Sequence, residues 1–470
     1  MSASERQAAA EPAGAPIRLG AGSGFWGDAM DPALDLLDRG ELDYLCFDFL
    51  AELTMALLQR QMARDPSAGY VPDAVGFMDR MMETARERGT RLVSNGGGVN
   101  PRAAGERIVE AARRRHLQGT RVAVVEGDNL TARIDELLQA GVPFVNLETD
   151  DPGFSAIRDR VVVANAYIDA SGIAGSLAAD ADIVVTGRVS DNGVFVGPIM
   201  HAFGWQHDRA HADRIAAAIT AGHVAECAAA ITGGMSSRFN AMPDMGRAGF
   251  PFFDFHPDGT AEFGKLPGTG GRVDEFTIKE HLVYEVQNPS AYVMPDGIAD
   301  FTSLTLDDLG NDRVRISRVR GRPQPDSYKA VIGYQDGWIG ECISFFPWPR
   351  AYDRALKAKQ TLSERFEQLG LQAEQVHFDL VGLNMLHGPA APMPDPEAAN
   401  DMNEIGLRCA VRTRTREEAE KVRRAGAHLW IMGPAGTAFG TPIRTRPALS
   451  LWPTLIPREL IAQTVDILEA

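Results

Sequence analysis

"GAGSGFWGD", residues 20–28, follows the short apolar run "IRLG" and precedes "AMDPALDLLDRG". Gly22, Gly24 and Gly27 satisfy the spacing G-x-G-x-x-G, so the stretch reads either as a dinucleotide-binding loop or as a tight turn out of a first strand. Both readings place a strand, a glycine turn and a helix in succession, which is how a parallel α/β sheet begins. Asp31 and Pro32 separate them. They mark the helix start as cap and first helical residue, several positions beyond Gly27. In a fingerprint the helix begins within the glycines, so that its N-terminus meets the pyrophosphate.

Outward from this stretch, short β-branched runs alternate with amphipathic ones. "LDYLCFDF" (42–49), "TRLVSN" (90–95), "TRVAVVEGD" (120–128), "VVVANAY" (161–167) and "DIVVTGR" (182–188) predict buried strands. "PRAAGERIVEAARRRH" and "NLTARIDELLQAG" predict helices, the second closed by Gly141. The expected fold over residues 17–245 is therefore α/β, a largely parallel Rossmann-like sheet with helices on both faces and a cleft at its strand ends. From 246 to 470 the texture becomes mixed α+β, a second part expected to complete that cleft. There "FPFFDFHPDGTAEFGKL" predicts a hairpin turning at Asp258-Gly259. Residues 1–16, polar and rich in Ala and Pro, predict a disordered tail with no signal peptide.

The 470 residues carry 44% hydrophobic and 23% charged side chains and a net charge of −16, which argues against a nucleic-acid or anionic-membrane partner. No run approaches the ~18–20 apolar residues of a membrane span. Cys46, Cys227, Cys342 and Cys409 are widely separated with no CxxC pair, a pattern of reduced thiols in a cytoplasmic protein rather than of disulfides or zinc.

Ligands of an open parallel sheet bind beyond the carboxyl ends of its strands. Those ends carry Asp28; Asp48 with Glu52; Asn95 and Asn100; Glu126 and Asp128; Asn165 and Tyr167; and Thr186, Arg188 and Asp191. Any one of them suits a local turn; together they line a polar cleft. Asn95-Gly96-Gly97-Gly98 offers unobstructed amides to a phosphate or carboxylate, or is simply a turn before the helix that opens at Pro101. Glu126 and Asp128 straddle Gly127 and suit an acid/base pair or a metal, unless Asp128 only caps the next helix.

"AAITAGHVAECAAAITGG" (217–234) predicts a helix closed by Gly233-Gly234, with His223, Glu226 and Cys227 on one face. They could ligate a metal or share a proton, but three side chains on one short arc do not close a site, and no metal is assigned. "KLPGTGGRVD" (265–274) suggests an anion-cradling loop, with Lys265 and Thr269 as substrate contacts. Its lysine precedes the glycines, the reverse of a P-loop. "GPAGTAFGTP" (433–442) is a further glycine-rich candidate wall. No nucleophile elbow, HExxH or kinase signature is present.

In order, "GAGSGFWGD", "LDYLCFDFLAELTMA", "SNGGGVNPRAA", "VAVVEGDNL", "ANAYIDASGI", "ADIVVTGRVSDNGVFVGP", "AGHVAECAAAITGG", "KLPGTGGRV" and "LVYEVQNPSAYVMPD" form a series that resembles the acyclic terpene utilisation (AtuA) family from about residue 17 almost to the C-terminus. The resemblance implies catabolism of acyclic terpenoids such as citronellol and geraniol, whose intermediates are branched acyl-CoA thioesters. Some relatives carry a C-terminal ferredoxin-fold domain, which this chain, ending in "IPRELIAQTVDILEA", is expected to lack. The expected function is lyase- or hydratase-type acid/base chemistry on a small acidic or acyl-CoA-like substrate. Glu126 is the expected general base, with Asp191, His223 and Glu226 as further acid/base groups. Arg188 and Lys265 hold a carbonyl or carboxylate; Asn95 and its glycines Gly96 and Gly97 bind a phosphate or oxyanion; Asp28, Asp48, Asn100, Asn165 and Thr269 complete the contacts. Two alternatives stand beside it, an NAD(P)-dependent oxidoreductase with Asp48 on the ribose and a non-catalytic metabolite-binding protein. The cofactor is left unknown, and a homo-oligomer is expected on general grounds.

Overall fold

The computed structural model describes residues 14–439 and 444–470; residues 1–13 of the expected tail and 440–442 of the late glycine loop lie outside the described residues. The chain forms two compact units, one of residues up to 333 together with 451–470, the other of 334–450.

The first unit is built on a ten-stranded sheet. Its centre is the parallel set β1 (Ile17–Ser23), β2 (Tyr44–Phe47), β3 (Arg91–Ser94), β6 (Ile183–Thr186) and β4 (Arg121–Glu126), in that spatial order. Antiparallel strands extend it on both sides. β7 (Pro251–Phe255), β8 (Ala261–Lys265), β12 (Arg313–Ser317) and β11 (Thr305–Gly310) continue from β1, and β19 (Thr464–Glu469) pairs with β4. The sheet is thus mixed rather than largely parallel. The runs of β2 and β6 are buried at every position, as strands covered on both faces must be. The hairpin of β7 and β8 turns at Gly259 (φ +90°), as its sequence predicts.

Covering helices include α1 (Asp31–Arg39), α2 (Glu52–Met62), α3 (Pro72–Arg88), α4 (Pro101–Arg114), α5 (Ile134–Gln139), α6 (Ser171–Ala178) and α7 (Gly193–Phe203). α1 buries Ala33, Leu36 and Leu37, the i, i+3, i+4 stripe expected of a surface helix. The expected strand at 161–167 forms as β5 (Val161–Ala166) but lies off the ten-stranded sheet and pairs with β14 (Ser327–Pro347). Its apolar run identified a strand; its partner, more than 160 residues away, could not be read locally.

α8 (Ala212–Glu226) is buried at every position from Ile215 onward. It ends at Glu226 rather than running on to Gly233, because Ala228 takes φ +44° and the chain tightens into a 3₁₀ turn. A small sheet of β9 (Tyr292–Met294), β10 (Gly297–Asp300) and β13 (Arg320–Arg322) lies on α8. Close approach requires Gly321, whose Cβ would stand 2.2 Å from Ala216. α9 (Glu275–Leu282), capped by Asp274, packs beside α8. These elements bring polar residues of distant sequence around the buried end of α8.

The second unit pairs β15 (Gln375–Val381), β16 (Glu404–Thr413), the part of β14 beyond residue 333 and β17 (Ala438–Phe439); β18 (Arg446–Pro457) also pairs with β14. α10 (Ala351–Gln368) and α12 (Arg416–Met432) bury Leu362, Phe366, Val422 and Leu429 against Ile405, Leu407 and Val411. The short α11 (Pro396–Asn400) completes twelve α-helices among the described residues.

Candidate functional site

The opening glycines serve packing. A Cβ at Gly22 would meet the Phe47 ring at 2.3 Å and one at Gly24 the Cys227 backbone at 2.8 Å, while Gly27 takes φ +102°. Asp28 closes the turn by accepting from the amides of Gly24 and Ala29, both at 2.8 Å. α1 begins only after the loop. The expected roles of Asp28 as a substrate contact and of the loop as a nucleotide cradle therefore give way to a turn sealed by its own carboxylate.

The glycine triplet 96–98 likewise serves the fold. Gly96 donates to Ser94 Oγ at 3.0 Å, Gly97 to the Thr186 carbonyl at 3.1 Å and Gly98 to the Asn95 carbonyl at 3.3 Å, so the expected anion-binding amides are already engaged. Gly96 and Gly97 instead admit close neighbours, for a Cβ would meet Ala74 at 2.3 Å or the Thr186 carbonyl at 2.5 Å. Asn95 accepts from Phe49 N at 2.8 Å and donates to Asp48, orienting that carboxylate inside the fold. Asn100 caps α4 and donates to the carbonyls of Pro66 and Ala68.

Arg188, just past β6, is the centre of the charged cluster and is 1% exposed. Its amide is held by Asp128 Oδ2 at 2.8 Å, which also accepts from Asn165 Nδ2 at 2.7 Å. Gly187 makes room for that carboxylate. The guanidinium donates to Asp191 and to the Leu50 carbonyl and stacks over the Tyr167 ring at 4.2 Å. Arg188 thus lies behind the wall and sets its charge, rather than reaching into the cleft to hold substrate. Asp128 and Asn165 are its clamps. Burial pushes Asp128 up to about 6.

In front of Arg188 opens a cavity of about 430 Å³, a size that suits a small-molecule site. Asp191, His223 and Glu226 line it together with Glu52, Tyr292 and Lys329. Burial, and then the neighbouring Asp191, raise Asp48 well above the usual carboxylate range. Burial likewise raises Asp191 against the pull of Arg188. Glu226 is raised well above its ordinary value by burial, reinforced by Asp191 and Glu285. Burial works the same way on Glu52, yet Arg188 and Lys329 outweigh it and hold that group below its ordinary range. The result is a graded set of carboxyls, three raised in proton affinity and one lowered.

His223 lies 2% exposed with Nδ1 3.0 Å from Glu226 Oε1 and 3.2 Å from the Tyr292 hydroxyl. Nε2 is 3.1 Å from the His281 carbonyl, which only accepts, so Nε2 carries the proton and Nδ1 presents a lone pair. Burial lowers the His223 pKa to about 4 and that of His281 to about 3.

Three other expected contacts lie elsewhere. Glu126 ends β4 opposite Thr464 of β19 and is not among the cavity-lining residues; the antiparallel partner strand, invisible in local pattern, occupies that sheet edge. Lys265 pairs with Asp312 at 3.1 Å and donates to the Thr269 carbonyl. Thr269 bonds Leu266 within its own turn and faces a separate cavity of about 280 Å³. Lys329, His281, Tyr292 and Glu285 are cavity or near-cavity residues that motif reading missed. The stretch "HLVYEVQNPSAYVM" contains the last three, but only tertiary packing reveals their chemistry.

Fold and site together define a mixed α/β protein in which acid- and base-bearing side chains converge on one pocket of the first unit. The chain belongs to the acyclic terpene utilisation family. The model for "Acyclic terpene utilisation family protein AtuA" matches residues 17–467, and membership implies a role in acyclic terpene utilisation. No curated protein and no solved structure matches the chain. Among the described residues no helix is long and apolar enough to cross a membrane.

Proposed function

We propose that the protein is an enzyme of acyclic terpenoid or branched acyl catabolism, performing lyase- or hydratase-type proton transfer on a small acidic or acyl-CoA-like substrate. One observation carries this reading: Asp191 and Glu226, both with raised proton affinity, face the same cavity as the cationic Lys329. A carboxyl whose pKa is moved toward neutrality can give and take a proton near physiological pH. Lys329 anchors the anionic end or polarises the acyl carbonyl, and Arg188 supports Asp191 from behind. Asp191 is the principal proton carrier, with Glu226 beside it. The raised proton affinity of these groups favours catalysis over simple metabolite binding, where solvated carboxylates would suffice.

The test incubates the protein with branched acyl-CoA thioesters in D₂O and follows hydration, elimination or deuterium exchange by mass spectrometry. Asp191→Asn and Glu226→Gln should each lose about 10²–10⁴-fold in rate with the fold intact, whereas Glu126→Gln should retain turnover. Unchanged rates in both cavity variants would refute the assignment.

A further inference from the structure

We propose that the inner end of the cavity is a metal site in which His223, Glu226 and His281 hold one divalent first-row transition ion. Each residue offers a ligand atom, and these atoms lie within 4.8 Å of one another. Of these, His223 Nδ1 and Glu226 Oε1 stand 3.0 Å apart. Two ligands about 2.1 Å from a common ion stand about 3 Å apart at a right angle. His281 supplies the third ligand atom of the set.

Two further observations point at an ion. Among the described residues, Glu226 Oε2 and His281 Nε2 are buried without a hydrogen-bond partner, in residues only 8% and 3% exposed. Leaving such atoms unsatisfied costs about 1–3 kcal/mol apiece, and metal coordination would satisfy both. The proton of His223 Nε2 is already committed to the His281 carbonyl, the outer contact that typically orients a ligating imidazole and turns its other nitrogen inward. The Phe301 and Tyr292 rings pack against His223 and hold that orientation.

The donor set selects the ion. Two imidazoles and one carboxylate suit Zn²⁺, Co²⁺ or Fe²⁺, whereas Mg²⁺ and Ca²⁺ prefer oxygen ligands. Three protein ligands leave positions open toward the cavity, as in catalytic rather than closed structural sites. A second cluster, Asp169, His207 and Asp296, lacks this character. Asp169 there is already engaged by Arg458, Tyr328 and Gln463.

In its catalytic meaning the assignment rests on the proposed function, with Glu226 then serving as ligand and Asp191 as the remaining proton carrier. Occupancy itself is read without turnover. Protein stripped with EDTA is titrated with Co²⁺ and followed by its visible ligand-field band, and with Zn²⁺ by calorimetry. One ion per chain is expected. His281→Phe, which keeps the ring volume, should weaken binding at least about tenfold, and Cys227→Ser should not. Asp191→Asn should bind the ion and lack turnover. Absence of saturable Co²⁺ or Zn²⁺ binding, or equal affinity in His281→Phe, overturns the site. If binding fails while Asp191→Asn still abolishes turnover, only the metal assignment falls.

Discussion

Replacing Arg188 by Met removes the buried positive charge behind the cavity wall while keeping most of the alkyl volume. The carboxyls of the buried Asp48 and of Asp191, which lines the cavity, then stand without their counter-charge. A charge pair at about 4 Å is worth about 4 kcal/mol at an effective dielectric of 20, and breaking a buried pair typically costs about 3–5 kcal/mol. Loss of stacking on Tyr167 adds about 1 kcal/mol. The expected loss is therefore about 4–6 kcal/mol at pH 8. The sign with pH follows from the raised carboxyls. With Arg188 gone, the folded-state pKa values of Asp48 and Asp191 rise further, so the folded variant binds more protons than the unfolded chain. Its deficit must shrink as pH falls to 5 and these groups become neutral. Urea unfolding combined with hydrogen exchange over residues 183–191 at both pH values measures this locally. A deficit equal at pH 5 and pH 8, or below about 1 kcal/mol throughout, would refute the argument. Adding Asp191→Asn should recover part of the loss, a coupling that a double-mutant cycle reads directly.

Four other outcomes are expected. Asp128 holds its two partners through one oxygen, so Asp128→Asn preserves both bonds and removes the charge. Because its folded pKa is raised from 3.8 to about 6, the wild type should lose about 3 kcal/mol relative to this variant as pH rises from below 4 to above 6, measured by denaturation across that range. Gly97→Ala drives a Cβ toward the Thr186 carbonyl and Pro101 and should destabilise by about 1–3 kcal/mol in thermal unfolding; a neutral effect would refute the close packing assigned to Gly97. Asp28→Ala should cost about 1 kcal/mol by freeing two amides of the first turn, with substrate affinity unchanged in a binding assay. On the proposed anchoring role, Lys329→Met should raise KM for an anionic substrate roughly tenfold with kcat nearly unaltered, whereas a fall in kcat would assign it to polarising the acyl carbonyl.

Much of the strand and helix order was legible, because buried runs such as "YLCF" and "IVVT" and capped amphipathic stretches carry their own periodicity. The site was legible in part. Asp191, His223 and Glu226 were readable as polar residues at a strand end and on a helix face, and all three line the cavity. Glu126 was read by the same logic, yet it faces an antiparallel strand from the far C-terminus. Whether Gly97 offers its amide to a ligand depends on where the Thr186 carbonyl arrives. Lys329 and His281 could not be placed near α8 at all, since no local pattern relates residues separated by 55 positions or more.

For this protein, then, the sequence by itself determined the elements and the family, since both depend on local periodicity and on ordered motifs. The tertiary structure decided what the motifs do. The glycines of "GAGSGFWGD" serve close packing against Phe47 and Cys227, and Asp28 seals the turn. Arg188 became a buried counter-charge, and α8 brought His223 and Glu226 to a pocket that Tyr292 also lines. The reason is physical: side-chain chemistry is set by burial and by the partner that arrives, and both are properties of contacts between distant segments.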